Sequence, residues 1–338
     1  MIREAIVRVS SGTNLTSAEA GGVMEEIMRG AATPAQIGGF LTALRMKGET
    51  VAEIAAFARA MRAAAVPVSL PAQEARVDTC GTGGDGAETF NISTAAALVT
   101  AGAGVPVVKH GNRGVSSRCG SADVLEALGV TVAIPPERVA GVLAAAGIAF
   151  LFAPAYHPAM QYARLARQEI GIRTVFNLLG PLTNPAGAGS HLLGVYDPRL
   201  TLPVARVLGD LGAERAMVVH GAGLDEIATA GPTTVAELRN GEVTTYTLDC
   251  TEFGIACSPV AALRGGGPEE NAATLLAVLS GDNGPARDIV LLNAGAAIYL
   301  GGKADGIAGG IARAEVSIDS GAALDRLRRL IEATGGAT

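Results

Sequence analysis

Residues 76–114 read RVDTCGTGGDGAETFNISTAAALVTAGAGVPVVKHGNRG, and this stretch decides the fold. It begins with a short strand pattern at 76–79, passes through a glycine-rich loop at 81–86, and continues as a helix pattern at 91–104. A second strand pattern follows at 105–108. Strand, helix and strand in this order predict two parallel strands joined by a crossover helix.

The same alternation continues along most of the chain. A helix at 121–128 is closed by Gly129, Pro136 stands at the favoured first position of another helix, and an apolar run follows at 149–152. Strand patterns resume at 191–196 and 216–220, and the tail at 269–333 is mainly helical. The alternation predicts an α/β fold with a mostly parallel sheet covered by helices.

The first 66 residues have a different pattern. Three capping boxes, in which a Thr hydroxyl and the side chain three residues later satisfy each other's backbone amides, predict three helix starts at Thr16/Glu19, Thr33/Gln36 and Thr50/Glu53. A linker with two prolines follows at 66–75, and a second helical passage at 157–187 interrupts the strand pattern. We therefore expect a small helical domain at 1–66, to which 157–187 returns, and a large α/β domain at 76–156 and 188–338.

Composition excludes several classes of protein. The net charge is −6 and no basic tract occurs, which argues against a nucleic-acid binder because phosphate backbones need clustered Lys and Arg. The four cysteines form no CxxC pair and have no His at zinc-ligand spacing, so neither a disulfide framework nor a zinc site is indicated. No signal-peptide core or uninterrupted apolar stretch of membrane length is present. We expect a cytoplasmic protein with no membrane association.

The glycine-rich loop at 81–86 matches two familiar motifs only in part. Its GxGxxG spacing suggests a dinucleotide fold, but Lys109 and His110 end the second strand, where such a fold needs an acidic residue. Its Gly-x4-Gly spacing suggests a P-loop, but Ala87 and Glu88 replace the required Lys and Ser/Thr. The remaining interpretation is an anion site built from backbone amides and the start of the next helix.

Two further loops carry charges that suit a phosphorylated substrate. The loop at 109–118 gathers cations and hydroxyls where the second strand ends, and ligands of open α/β sheets bind at that edge. The turn at 223–226 ends in Asp225 and Glu226. Adjacent carboxylates are often only solvated, but beside bound phosphates they predict a Mg²⁺ site, because Mg²⁺ takes one or two carboxylates together with phosphate oxygens.

Six segments together resemble the anthranilate phosphoribosyltransferase family. They are GTGGD at 81–85, FNIST at 90–94, KHGNR at 109–113, GSADVLEALG at 120–129, RTVFNLLGPLTNP at 173–185 and GLDE at 223–226. Their order and spacing also fit, and the resemblance continues to the Asn271 and Asn293 segments. It implies a nucleoside phosphorylase/phosphoribosyltransferase-like fold and a homodimer that pairs through the small domains.

The resemblance implies an activity in tryptophan biosynthesis. The enzyme would transfer the phosphoribosyl group of phosphoribosyl pyrophosphate (PRPP) to the amine of anthranilate and release pyrophosphate, with Mg²⁺ as cofactor. Association with anthranilate synthase is not readable from the sequence. Two alternatives stay open: a nucleoside phosphorylase of the same fold family, and a non-catalytic homologue that binds nucleic acid.

The resemblance also implies roles for individual residues. The PRPP contacts would be Gly81, Thr82, Gly83, Gly84, Asp85, Thr89, Asn91, Ser93, Thr94, Lys109, His110, Gly111, Asn112, Arg113 and Ser117. The anthranilate contacts would be Gly81, Asn112, His157, Arg167 and Pro181, with Arg167 meeting the carboxylate. The metal ligands would be Ser93, Asp225 and Glu226. No residue is expected to act as a general base. Gly114 and the pair Arg118-Cys119 depart from the family's usual residues without touching this chemistry.

Overall fold

The computed structural model of the protein describes residues 1–71, 75–114 and 117–336. Val115 and Ser116, which belong to the predicted cationic loop, therefore lie outside the described residues. Within the described ranges, no helix combines the length and the apolar character needed to cross a bilayer.

Four helices form the N-terminal part: α1 (Ile2–Ser10), α2 (Ser17–Met28), α3 (Pro34–Lys47) and α4 (Val51–Ala63). The three predicted capping boxes are confirmed, since Thr16, Thr33 and Thr50 each accept from the backbone amide three residues on and receive the reciprocal bond. Helix α1 was not predicted individually. It has no side-chain cap, so the start signal that identified the other three is missing.

A seven-stranded sheet forms the centre of the large domain, with strand order β3-β2-β1-β4-β5-β6-β7. Strands β1 to β5 are parallel, and β6 and β7 continue the sheet as an antiparallel hairpin. The predicted mostly parallel sheet is confirmed. The strands are β1 (Val77–Gly81), β2 (Val107–Gly111), β3 (Ile148–Phe152), β4 (Ser190–Gly194), β5 (Arg215–Gly221), β6 (Thr233–Arg239) and β7 (Glu242–Leu248).

The β6-β7 hairpin was missed by the sequence analysis, although its turn carries a signal. Asn240 and Gly241 connect the strands with φ values of 54° and 80°, the left-handed pair that a two-residue hairpin turn requires. An Asn-Gly dipeptide between two strand patterns is therefore the feature that would have found it.

The remaining helices cover both faces of the sheet. They are α5 (Ile92–Gly102), α6 (Ser121–Ala127), α7 (Val139–Ala146), α8 (Ala153–Tyr156), α9 (Gln161–Ile170), α10 (Phe176–Leu182), α11 (Thr201–Asp210), α12 (Pro268–Leu279), α13 (Pro285–Leu300), α14 (Ile307–Asp319) and α15 (Ala322–Thr334). Two of the helical passages begin with a 3₁₀ turn. Pro136 opens a 3₁₀ turn at Pro136–Arg138 before α7, and Pro158 opens another at Pro158–Met160, so α9 starts later than His157.

The apolar residues form two cores, one on each side of the sheet. The first surrounds α5 and α13, whereas the second joins the N-terminal helices to α9, α10, α11 and the sheet residues Leu193, Val218 and Ala236. The N-terminal helices are therefore covered within the chain itself.

Candidate active site

The strand order creates a crevice beside the central strand. Strands β2 and β3 lie on one side of β1 in the sheet, and β4 lies on its other side. The connections that follow β1 and β4 therefore run in opposite directions. Ligands of open α/β sheets bind at such a switch point, beyond the carboxyl ends of the strands. A cleft of about 550 Å³ lies there. Every residue that the sequence analysis assigned to a ligand lines this cleft, with the exception of His157.

The glycine loop forms one wall of the cleft. Gly83 and Gly84 have φ values of 64° and 78°, a conformation that L side chains rarely adopt. Glycine-rich turns of this kind can present backbone amides to an anion. Helix α5 starts at Ile92 directly after this loop and adds its positive end. The hydroxyl of Thr94 in the first turn is buried and makes no hydrogen bond with any described residue. The wall can therefore bind an anion.

Two half-buried carboxylates face that wall from the loop after β5. The Oδ2 atom of Asp225 accepts from the Gly83 amide at 2.7 Å, and the Oε1 atom of Glu226 accepts from the Ser93 amide at 3.1 Å. The second oxygen of each carboxylate accepts no hydrogen bond within the described ranges. Burial and the nearby charge of Asp85 raise the pKa of Asp225 to about 7, and burial together with Asp225 raises the pKa of Glu226.

Close packing of backbone holds these carboxylates in place. A Cβ atom added to Gly194 would lie 1.6 Å from the Asp225 carbonyl oxygen, and one added to Gly81 would lie 2.3 Å from Asp225 Oδ2. Behind the loop, the buried side chain of Asn293 accepts from the Ile227 amide and donates to the Ile227 carbonyl, at 3.0 and 2.9 Å. Both strand glycines and Asn293 therefore determine where the carboxylates lie.

Lys109 is almost fully buried beneath the cleft. Its Nζ atom donates to the Thr79 carbonyl and, at 3.2 Å, to Ser93 Oγ, which leaves one of its three donors for a ligand. Burial lowers the pKa of Lys109, while the charges of Asp78 and Glu226 oppose that shift. Lys109 is thus a buried cation between the glycine loop and the carboxylates of Asp225 and Glu226.

The guanidinium of Arg113 is already engaged in the structure. It donates to Asp123 at 3.0 Å and to Glu126 at 2.8 Å, and it stacks on the ring of Phe152. Arg113 lines the cleft, but its charge is shared with these two carboxylates of α6. Its direct contact with PRPP stays a prediction.

The opposite end of the cleft contains a cation without an anionic partner. Arg167 in α9 is half-buried, its guanidinium lies 5.1 Å from the centre of the Phe176 ring, and no described carboxylate lies within ion-pair distance. Burial lowers the pKa of Arg167. Pro181 of α10 lines the same end. A planar carboxylate could accept two parallel hydrogen bonds from the guanidinium of Arg167.

A pair of buried histidines lies next to this end. His110 lines the cleft, its Nδ1 lies 3.1 Å from the Gly180 carbonyl oxygen, and its ring centre is 5.1 Å from that of His157. His157 lies behind His110, with its Nε2 atom 3.0 Å from the Thr183 carbonyl oxygen. The structure therefore places His157 outside the cleft lining, and its direct contact with anthranilate stays a prediction. Burial and His157 lower the pKa of His110 to about 3.

Two residues that shape the cleft, Arg173 and Asn293, were given no role from the sequence. The guanidinium of Arg173 lies 4.3 Å from the centre of the Tyr196 ring and donates to the Gly84 carbonyl, which ties the α9–α10 connection to the glycine loop. Arg173 begins the quoted segment at 173–185, but nothing in a single sequence places it opposite Gly84. Asn293 could have been noticed as the one amide side chain in the stretch LLNAGAAIYL of α13.

The comparisons with known proteins agree with this geometry. The model of the glycosyl transferase family, a/b domain, matches residues 73–324, and that of the glycosyl transferase family, helical bundle domain, matches 3–65. The anthranilate phosphoribosyltransferase of Methanocorpusculum labreanum is 59% identical, with 99% of each chain covered. The crystal structure of the enzyme from Thermus thermophilus is 47% identical, with a TM-score of 0.93 and coverage of 98% and 99%. The Saccharomyces cerevisiae enzyme in complex with PRPP and Mg is 31% identical, with a TM-score of 0.89 and coverage of 99% and 98%.

Proposed function

The chain belongs to the anthranilate phosphoribosyltransferase family, and we propose that its cleft transfers the phosphoribosyl group of PRPP to the amine of anthranilate. The observation that carries the proposal is the arrangement of one cleft. A glycine-rich anion wall, two carboxylates and a guanidinium with no described anionic partner line one cleft of about 550 Å³. A diphosphorylated sugar and an aromatic carboxylate together need these three features.

The donor set at Asp225 and Glu226 fits Mg²⁺. Both carboxylates offer a free oxygen, and oxygen is the ligand that a hard divalent cation prefers. Burial raises the pKa of both carboxylates, the charge of Asp85 raises that of Asp225 further, and the charge of Asp225 raises that of Glu226. A nearby cation would relieve these unfavourable effects. Ser93 Oγ, the third proposed ligand, already accepts from Lys109. When bound, Mg²⁺ would neutralise charge on the pyrophosphate.

The residues of the cleft are suited to stabilising the departing pyrophosphate, and the reaction needs no base to deprotonate the anthranilate amine first. As the C1–O bond of PRPP breaks, negative charge grows on the leaving group, and the amides of the glycine loop together with Lys109 are placed to stabilise it. The amine of anthranilate is neutral at pH 7 and needs no base before it attacks. His110 is a poor base because its pKa is lowered to about 3. Arg167 and the glycine loop instead hold the two substrates in attack geometry.

Two rival functions are less well supported by the same residues. A nucleoside base carries no carboxylate, so in a nucleoside phosphorylase the half-buried charge of Arg167 would not be neutralised by the substrate. A nucleic-acid binder needs clustered cations, whereas the net charge here is −6 and Arg113 is paired with Asp123 and Glu126.

We also propose the domain division 1–66, 76–156, 157–187 and 188–338, with a homodimer formed through the small domain. Helix α9 contacts α2 and α3, and α10 contacts α4, which supports the return of 157–187 to the N-terminal helices. Helix α3 contacts both α1 and α9, and these three helices expose Val7, Met46 and Leu165. Large exposed apolar side chains on adjacent helices are suited to a second copy of the same surface.

A fluorescence assay of anthranilate consumption tests the proposed function. We expect loss of anthranilate only when PRPP and Mg²⁺ are both present, with one pyrophosphate released for each anthranilate consumed. Inosine and uridine with inorganic phosphate serve as the phosphorylase control, and we expect no phosphorolysis. Anthranilate consumption that is absent with PRPP, or phosphorolysis of either nucleoside, would contradict the proposal.

A further inference from the structure

A cluster of two thiols and a carboxylate lies outside the cleft, just after β7. Cys250 Sγ and Cys257 Sγ are 3.7 Å apart, and a carboxylate oxygen of Asp249 lies within 4.8 Å of both sulfurs. None of the three residues lines the cleft. Cys250 and Cys257 are separated by six residues in sequence, so their proximity is a product of the fold.

The distance between the two sulfurs matches the separation of two thiolate ligands bound to one tetrahedral metal ion. With Zn–S bonds of about 2.3 Å and tetrahedral angles, two thiolates on one Zn²⁺ are separated by about 3.8 Å. Borderline-soft divalent ions prefer thiolate and also accept a carboxylate oxygen. The observed pair thus has the spacing of two zinc ligands, and Asp249 supplies a third donor within reach.

Local hydrogen bonds hold the donors in this arrangement. Asp249 caps a 3₁₀ turn at Cys250–Phe253, and its Oδ1 atom accepts from the Thr251 amide and hydroxyl at 2.9 and 2.6 Å. Its Oδ2 atom accepts nothing within the described chain and is available for an ion. Ser258 donates its amide to the Thr229 carbonyl at 3.0 Å, and Cys250 Sγ contacts the same carbonyl oxygen at 3.6 Å. Both cysteine segments are therefore anchored to the same backbone carbonyl, in the connection between β5 and β6.

Access to the cluster is open on one side. Cys250 is fully buried, Asp249 is half-buried and Cys257 is exposed, so an ion can enter from solvent and still be desolvated on its inner side. We propose that Asp249, Cys250 and Cys257 bind a thiophilic divalent cation of the Zn²⁺ type, with water as the fourth ligand. Each thiol releases its proton to solvent when it binds, and no electron transfer is involved.

Such a site would stabilise the loop between its two cysteines. Binding to the folded state alone raises the melting temperature, because the unfolded chain does not bring the three donors together. The anchor residue Thr229 follows Glu226 by three positions, so the cation site and the proposed Mg²⁺ site share one backbone segment. The two sites nevertheless differ in donors, since one contains sulfur and the other only oxygen.

Cobalt substitution in the reduced, full-length protein tests the proposal directly. After removal of metals by a chelator and of the chelator by gel filtration, Co²⁺ is added to the protein in a thiol-free reductant. We expect one equivalent to produce a thiolate-to-cobalt charge-transfer band in the near ultraviolet and the visible bands of a tetrahedral ion. Zn²⁺ should abolish these bands and raise the melting temperature.

Variants assign the band to the cluster. Cys257→Ser replaces an exposed side chain, so the fold should persist, and we expect the band to disappear and Zn²⁺ affinity to fall at least about tenfold. Glu252→Gln is the matched control, because it removes a neighbouring charge but keeps an acceptor for the Asp249 amide. It should retain the band. An Asp225→Asn, Glu226→Gln variant should also retain it, since an all-oxygen site yields no thiolate band.

Three results would overturn the proposal. The first is a wild-type protein that gives no charge-transfer band with Co²⁺. The second is a band that survives in Cys257→Ser, since the thiolates would then belong to other residues. The third is a reduced protein that binds neither metal but loses two free thiols when treated with oxidised glutathione, because the pair would then be a disulfide-forming pair.

Discussion

The Arg167→Ala variant is the sharpest test of the acceptor end of the cleft. The guanidinium of Arg167 is half-buried over Phe176 and has no described anionic partner, so its charge is available to a ligand. Alanine is a good helix former, and the side chain makes no hydrogen bond with the described chain that folding would lose. We therefore expect the variant to fold normally and to lose recognition of the anthranilate carboxylate.

The size of the loss follows from the type of contact. A bidentate, charge-assisted pair that is partly desolvated contributes about 1.5–3 kcal/mol, which corresponds to a fall of about ten- to a hundredfold in kcat/KM for anthranilate. The contact is made in the ground state and in the transition state alike, so most of the loss should appear in KM. Affinity for PRPP should scarcely change.

Steady-state kinetics with anthranilate fluorescence, together with calorimetry of PRPP binding, measure these quantities separately. Arg164→Ala is the matched control, because Arg164 is on the same helix but is exposed and does not line the cleft. We expect wild-type kinetics from it. With anthranilamide, which lacks the negative charge, wild type and Arg167→Ala should differ far less. A variant in which PRPP affinity falls while the anthranilate KM is unchanged would refute the assignment.

Four other outcomes are expected. Asp225→Asn combined with Glu226→Gln should abolish Mg²⁺-dependent turnover without loss of thermal stability, and activity at limiting Mg²⁺ would contradict the metal site. Gly194→Ala places a Cβ atom 1.6 Å from the Asp225 carbonyl oxygen, so kcat/KM for PRPP should fall about tenfold or more; unchanged kinetics would refute this packing argument. His191 is buried and its pKa is lowered to about 4, whereas an unfolded histidine takes up a proton below about 6.5. The contribution of neutral His191 to stability is therefore lost as the pH falls. In urea denaturation, the free energy of unfolding of wild type should fall by about 2 kcal/mol more than that of His191→Gln between pH 7 and pH 5. Leu165→Glu should shift the protein from dimer to monomer in sedimentation velocity, and a wild-type monomer at micromolar concentration would rule out the dimer.

Local signals were sufficient for the capped N-terminal helices and for the first strand, loop and helix of the large domain. The boxes at Thr16, Thr33 and Thr50 are complete within four residues, and all three formed as expected. The glycine loop after β1 and the start of α5 are likewise adjacent in the chain. The order of strand and helix patterns was enough to predict the parallel sheet, because a parallel pair needs a long crossover connection.

Contacts between distant segments were decided by the tertiary structure alone. Arg113 was predicted as a phosphate contact, yet α6 brings Glu126 to its guanidinium, and His157 was expected in the cleft, yet it packs behind His110. In each case the free energy of a charged or buried polar group depends on its partners in space, which spacing along the chain does not reveal.

The cysteines illustrate the same division most simply. Their spacing indicated no metal site, and as a statement about sequence motifs that was sound. Only the fold after β7 brings Cys250 Sγ within 3.7 Å of Cys257 Sγ, with Asp249 beside them. The sequence by itself determined most of the elements, the anion loop and the family, because these are recorded in short, ordered motifs. Which side chains share a partner, face a ligand or lie behind it depended on packing between segments far apart in the chain.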